Sequence, residues 1–109
     1  MLVTDMNESK GQAVADELGT KGAFLRVDVS REEDVSNAVS EAVDLWGHLD
    51  IMFNNAGFGG ARGPIETISE SDFDITVDVL LKGVFFGMKH CGFRSCIQVG
   101  RFSGLQTSY

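Results

Sequence analysis

Short apolar runs alternate with amphipathic helical patterns along this chain, and the alternation limits the possible folds more than any other feature. The runs, bounded by Gly, Asp or Asn, have the length of buried strands and lie near residues 2–4, 23–27, 49–53 and 96–99. Apolar residues recur at the helical period near residues 8–18, 31–46 and 70–90. Strands that alternate with helices form βαβ crossovers, so the sequence predicts an α/β fold with a parallel sheet, as a single domain over residues 1–109.

Polar residues predict where the helices begin. Asn7 can cap the first helix, because its side-chain oxygen can accept a hydrogen bond from a backbone N–H of the first turn. Ser30 and Glu33 have the spacing of a capping box, and Ser69 and Asp72 form an acidic version of it. We therefore expect a cap at the start of each predicted helix.

Composition excludes several classes of partner. The 109 residues carry a formal net charge of −7 and include no basic stripe, which argues against nucleic acid and anionic membranes as partners. No stretch approaches the ~20 apolar residues of a membrane-spanning helix, and no basic-then-apolar leader opens the sequence, so we expect a cytoplasmic protein. Cys91 and Cys96 have no second pair nearby. We therefore expect free thiols and no metal site.

Acidic residues stand where two of the predicted strands end, and open parallel sheets bind ligands beyond that edge. Asp5 closes the first strand, where a carboxylate can accept hydrogen bonds from both hydroxyls of a ribose and would repel a 2′-phosphate. Asp28 follows the second strand and could accept a hydrogen bond from an adenine amino group, while Val29 lies against the ring. Each acid also has a simpler explanation: Asp5 could be an acid before a helix cap, and Asp28 a turn residue.

The third strand is followed by Asn54-Asn55-Ala56-Gly57. Side-chain amides at this place can tie the loop to neighbouring backbone, and Ala56 and Gly57 would allow a ligand to approach the main chain closely. As a lone turn, this tetrapeptide would indicate little.

Taken together, these three features on successive βα units resemble the short-chain dehydrogenase/reductase family. The likeness covers about residues 1–90 and extends through the runs 28–35, 46–50 and 82–90. It implies a Rossmann-type sheet, NAD as cofactor and an alcohol or carbonyl compound as substrate. By this resemblance Asp5 would bind the adenosine ribose, Asp28 and Val29 the adenine, and three residues the ribose and nicotinamide side: Asn54, Ala56 and Gly57.

The sequence also departs from the family pattern. The family opens with a central strand and a glycine-rich turn, T-G-x-x-x-G-x-G, to which nothing here corresponds, so we expect a partial Rossmann-type sheet, truncated at both ends, with weak NAD binding. The family's acid/base tyrosine is followed four residues later by a lysine, whereas Tyr109 is the last residue. An ungapped alignment puts Arg101 at the catalytic serine and Leu80 at the helix asparagine, with Ser103 as a less favoured replacement serine. We therefore assign no catalytic residue.

Three functions remain open on the sequence alone. The first is an NAD-dependent oxidoreductase of this family, with this chain inactive alone. The second is a noncatalytic dimerisation or interaction module, which would form a homo- or hetero-oligomer through helices 31–46 and 70–90, because each carries a wide apolar stripe. The third is a fragment without a stable fold.

Overall fold

Helices alternate with four-residue strands over residues 1–92, 94 and 96–100, which the computed structural model describes. The strands are β1 (Leu2–Asp5), β2 (Ala23–Arg26), β3 (Ile51–Asn54) and β4 (Ile97–Gly100). The helices are α1 (Glu8–Glu17), α2 (Glu32–Trp46), α3 (Glu70–Val77) and α4 (Gly83–Gly92), with a π-helical segment at Asp78–Lys82 and 3₁₀ turns at Gly19–Lys21 and Ile65–Thr67. The predicted α/β class is confirmed.

The strands form two separate parallel pairs. β1 pairs with β2, with Asp5 opposite Arg26, and β3 pairs with β4, with Asn54 opposite Gly100. No hydrogen-bonded ladder joins the two pairs among the described residues. The predicted partial parallel sheet is therefore confirmed, and helices must hold its two halves together.

The core lies where α2 covers the end of β2. Val27, Val35 and Ala38 are buried there, and they pack against five partly buried side chains: Leu2, Leu25, Val29, Met52 and Phe86. Because four of these side chains come from β1, β2, β3 and α4, the buried cluster contacts both strand pairs. The helical period predicted over 31–46 is confirmed.

The first helix is fixed at its start by a cap and against the sheet by a glycine. The Asn7 side chain accepts a hydrogen bond from Lys10 N at 3.0 Å, so this predicted cap is confirmed. Gly11 is buried and lies directly under the Phe24 ring, which leaves no room for a Cβ. Close packing of α1 on β2 follows from this contact.

One predicted cap is wrong. The second helix begins at Glu32, with Arg31 at the cap position and no side-chain cap hydrogen bond, so Ser30 and Glu33 form no capping box. The Ser30 hydroxyl donates instead to Asp28 Oδ1 at 2.7 Å, and a hydrogen bond to a charged carboxylate is stronger than one between neutral groups. At the third helix the prediction holds, since Ser69 Oγ accepts from Asp72 N at 3.1 Å.

The predicted helix over 70–90 is interrupted at Asp78–Lys82, where the backbone takes a π-helical course. A π-helical segment of five residues is too short for its side-chain period to be distinguished from that of an α-helix, so the sequence did not predict it. The third strand begins at Ile51 rather than at residue 49, and the fourth occupies Ile97–Gly100 rather than 96–99. Such shifts of one or two residues are usual at element ends.

The prediction of free thiols is also wrong. Cys91 and Cys96 are paired as a disulfide, with their Cα atoms 5.6 Å apart. The pair links the last turn of α4 to the start of β4, and Cys91 is completely buried. Spacing in the sequence could not show that Cys91 and Cys96 lie close enough to bond.

In the described part of the chain, no helix is long and apolar enough to cross a membrane. The same residues contain no group of three or more His, Cys, Asp or Glu side chains that could hold a metal ion.

The burial of Val35 allows a direct test of the core. We expect Val35→Ala to lower the free energy of unfolding by about 2 kcal/mol, because the lost methyl groups leave a cavity. Val35 is 2% exposed, whereas Val14 on α1 is 45% exposed. The control Val14→Ala should therefore change the value by less than about 0.5 kcal/mol. Urea denaturation measures both, and equal effects of the two substitutions would contradict this core.

Candidate functional site

The acids predicted to share an edge follow two hydrogen-bonded strands. β1 and β2 run parallel, and Val27 N donates to Asp5 O at 3.1 Å just beyond their last paired residues. Asp5, the last residue of β1, and Asp28, two residues after β2, therefore lie at the carboxyl ends of neighbouring strands, at the same edge of the sheet. Ligands of open parallel sheets bind at this edge.

The Asp5 side chain takes part in the turn that leads into α1. Its Oδ1 accepts a hydrogen bond from Asn7 N at 2.7 Å. Among the described residues no partner is seen for the other carboxylate oxygen, and the residue is exposed. Asp5 is thus the acid before a helix cap that the simpler explanation required, since it binds the backbone N–H of the cap residue Asn7.

Asp28 is held more firmly, and it is half-buried. Its Oδ1 accepts hydrogen bonds from the Ser30 hydroxyl at 2.7 Å and from Ser30 N at 3.0 Å. The hydroxyl bond is the main cause that lowers the pKa of Asp28 below its ordinary value of 3.8, against an opposing effect of partial burial. Asp28 N donates to Asp34 Oδ2 at 3.0 Å. The carboxylate is therefore ionised at neutral pH and fixed in direction.

Helix α4 brings the ends of β2 and β3 together. A Cβ at Gly83 would lie 2.9 Å from Val29 Cγ2, and a Cβ at Gly87 would collide with Asn54 Oδ1. The two glycines are four residues apart and buried, so they lie on one face of the helix. Val29 and Asn54 therefore contact adjacent turns of the same helix.

The rest of the Asn54–Gly57 motif lies in an exposed loop. Asn55 N donates to Phe53 O at 2.9 Å, and Ala56 and Gly57 are exposed. Farther along the loop, Ala61 N donates to Thr76 Oγ1 of α3 at 2.8 Å. The structure thus brings Asp5, Asp28, Val29 and Asn54 to one region but leaves Ala56 and Gly57 without a described contact to them.

Sequence reasoning missed several residues that shape the site. Ser30 and Asp34 hold Asp28, while Gly83 and Gly87 admit Val29 and Asn54. Two glycines four apart inside an apolar helix are a recognisable sign of close packing. No local pattern would have assigned Ser30 to Asp28 instead of to the helix cap.

The residues present fit the adenosine half of a dinucleotide. Asp5 has an available carboxylate oxygen at the end of β1, where ribose hydroxyls are bound in such sheets. Asp28 uses Oδ1 for its turn, and no hydrogen bond to its Oδ2 is found within the described residues. The apolar Val29 side chain lies next to it in sequence and on the core side. A carboxylate oxygen beside an apolar surface suits an adenine amino group and ring.

Comparison with known proteins identifies the family. The family model described as enoyl-(acyl carrier protein) reductase matches residues 1–103. Tropinone reductase-like 1 from Erythroxylum coca is 42% identical over 93 residues, which are 83% of this chain and 34% of that protein. The chain belongs to the short-chain dehydrogenase/reductase family. It spans about a third of the length of the curated relatives it matches.

Solved structures support the same fold. The 3-ketoacyl-(acyl-carrier-protein) reductase from Brucella melitensis, complexed with NADH, has a TM-score of 0.82 at 27% identity, over 91% of this chain and 44% of that one. An alcohol dehydrogenase from the archaeon Thermococcus sibiricus, complexed with 5-hydroxy-NADP, has a TM-score of 0.78 at 25% identity, over 85% of this chain and 41% of that one. The Rossmann-type arrangement expected from the resemblance is confirmed.

Removing the Ser30 hydroxyl should raise the pKa of Asp28 toward 3.8, because this hydrogen bond is the largest cause of its lowering. We expect the rise in Ser30→Ala, measured by NMR titration of the carboxyl carbon, and none in the control Ser40→Ala. Since the pKa is lower in the folded state, ionised Asp28 adds stability that is fully present above pH 3.8 and is lost as the pH falls through the folded-state pKa. An unchanged pKa in Ser30→Ala would contradict this account.

Proposed function

We propose that this chain provides the adenosine-binding part of an NAD-dependent oxidoreductase that acts on an alcohol or carbonyl substrate. The observation that carries the proposal is the pair of carboxylates, Asp5 and Asp28, after neighbouring strands, with Val29 beside the second. In the proposed site Asp5 accepts hydrogen bonds from the ribose, Asp28 accepts one from the adenine amino group, and Val29 packs against the ring. When bound, a nicotinamide nucleotide supplies or accepts the hydride.

The substrate class is proposed from the relatives. The matched proteins are called a tropinone reductase-like protein, a 3-ketoacyl reductase and an alcohol dehydrogenase. Alcohols and carbonyl compounds are common to these names. Asn54, Ala56 and Gly57 are proposed to face the ribose and nicotinamide side of the cofactor.

The preference for NAD is proposed from charge. One matched structure holds NADH and another holds 5-hydroxy-NADP, so the likeness supports a nicotinamide nucleotide of either kind. Asp5 favours NAD in this proposal, because its carboxylate would repel a 2′-phosphate.

We assign no catalytic residue. Leu80 lies within the π-helical segment and has no group that can transfer a proton. The sequence-based predictions for Arg101, Ser103 and Tyr109 lie outside the described residues. The proposal is therefore one of cofactor binding, and it is tested by binding.

A test that needs neither the pyrophosphate nor catalysis is titration with 5′-AMP. We expect its addition to the ¹⁵N-labelled chain to shift the amide signals of Asp5, Asp28 and Val29. Asp5→Asn should weaken binding about three- to tenfold, because a hydrogen bond to a charged group contributes about 1.5–3 kcal/mol and solvent screening at an exposed carboxylate reduces that contribution. The control Asp16→Asn, on the far part of α1, should leave the affinity unchanged. Shifts confined to residues other than Asp5, Asp28 and Val29 would contradict the proposal.

A second function, a noncatalytic interaction module, is favoured by a specific observation. Large apolar side chains on the α3–α4 surface are more than half exposed: Phe73 58%, Leu81 64%, Phe85 57% and Met88 55%. Phe85 and Met88 are three residues apart on α4 and lie on one side of it. An apolar surface of this kind marks a protein–protein contact, so we propose a homo- or hetero-oligomer in which α3–α4 contributes, together with the exposed end of α2.

We expect the chain to sediment as a dimer at high micromolar concentration if this surface is self-complementary. Phe85→Glu should then give a monomer, because a charge buried at an interface without a partner is costly. Val14→Glu on α1 makes the same change at an exposed apolar residue outside this surface and should leave the dimer intact. If the wild-type chain is a monomer and binds 5′-AMP, the homo-oligomer proposal is wrong and the cofactor proposal is retained.

We also propose the cytoplasm as the compartment. The acidic charge suits a protein without nucleic acid or membrane partners. The Cys91–Cys96 disulfide is unusual for this compartment, since disulfides are rare in the cytosol. Alkylation of the protein in freshly lysed cells tests this, and a disulfide that persists there would argue against a cytoplasmic location.

A further inference from the structure

A cation lies opposite the proposed ribose-binding acid. Arg26 is the last residue of β2 and pairs in register with Asp5 of β1. Its side chain is 52% exposed. Guanidinium groups near this strand end are the kind that bind the 2′-phosphate of NADP. If no acid were paired with Arg26, its positive charge would favour NADP and oppose the proposed preference for NAD.

The charge of Arg26 is not free, because Glu8 faces it. Glu8 Oε1 lies 3.9 Å from Arg26 Nε. Glu8 is the first residue of α1 and follows Asn7, whose N–H donates to Asp5. In the described part of the chain Arg26 forms its ion pair with Glu8, and Asp5 lies opposite Arg26 in the strand register. Together these three side chains, Asp5, Glu8 and Arg26, carry a net negative charge.

We propose that Glu8 is a second specificity-determining residue, which disfavours a 2′-phosphate by holding Arg26 and by adding its own negative charge. This inference rests on the proposed adenosine site and deepens it. Asp5 then acts on the ribose directly, while Glu8 acts through Arg26. Loss of Glu8 would release a cation at the place where a 2′-phosphate would lie.

The test compares two nucleotides that differ by the phosphate in question. Binding of 5′-AMP and of 2′,5′-ADP to the full chain is measured by NMR titration at low ionic strength, and the ratio of their Kd values is the readout. We expect Glu8→Gln to shift the ratio in favour of 2′,5′-ADP about two- to fivefold, the range of an exposed charge interaction. Arg26→Gln in the Glu8→Gln background should reverse the gain.

Matched controls separate this effect from that of a change in the net charge of the protein. Glu17→Gln removes the same charge at the other end of α1 and should leave the ratio unchanged, and Lys10 is retained in every variant. High salt should abolish the gain, because exposed charges are screened. Circular dichroism checks folding, and Glu8→Ser replaces Glu8→Gln if the latter does not fold.

The outcomes distinguish the two proposals. If both nucleotides shift Asp5, Asp28 and Val29 but Glu8→Gln changes the ratio no more than Glu17→Gln does, the role of Glu8 is wrong and the adenosine site stands. A gain that persists in the Arg26→Gln background would also overturn the inference. If neither nucleotide affects these residues, the adenosine site fails, and the inference fails with it.

Discussion

The approach of α4 to the strand ends is the contact on which the rest of the site depends. The two strand pairs share no ladder among the described residues, so their relative position is set by helix packing. Gly83 and Gly87 let the α4 backbone lie against Val29, which follows β2, and against Asn54, the last residue of β3. Helix α4 therefore contacts both strand pairs. Any side chain at these two positions would push one strand pair away, because packed interiors have little spare volume.

Ion pairs add to this packing but do not replace it. Glu32 at the start of α2 accepts hydrogen bonds from Lys89 Nζ at 2.6 Å and lies 3.0 Å from His90 Nε2. The bond from Lys89, followed by that from His90, lowers the pKa of Glu32. The carboxylate is exposed, however, and exposed pairs contribute little. The buried cluster that contains Val35, against which Phe86 of α4 packs, therefore dominates the joining of α2 to α4.

The sequence was sufficient for the features that depend on local periodicity. The stripe of α2 and the caps at Asn7 and Ser69 follow from neighbours within one or two helical turns. It was insufficient where one side chain has two possible partners close in sequence, as when the Ser30 hydroxyl bonds to Asp28, two residues earlier, rather than capping α2. The same limit applies to the Cys91–Cys96 pair, because only the folded chain brings those residues together. Of the site itself, the shared edge of Asp5 and Asp28 was predictable, and the role of α4 was not.

The two explanations offered for each acid are compatible, which explains why neither could be discarded from sequence. Asp5 and Asp28 each bind backbone N–H groups through Oδ1, so each is a turn acid. These bonds restrict the rotation of each carboxylate. A side chain fixed in this way loses less conformational entropy when a ligand binds than a freely rotating one. The turn that ends each strand is therefore also what would prepare its carboxylate for a nucleotide.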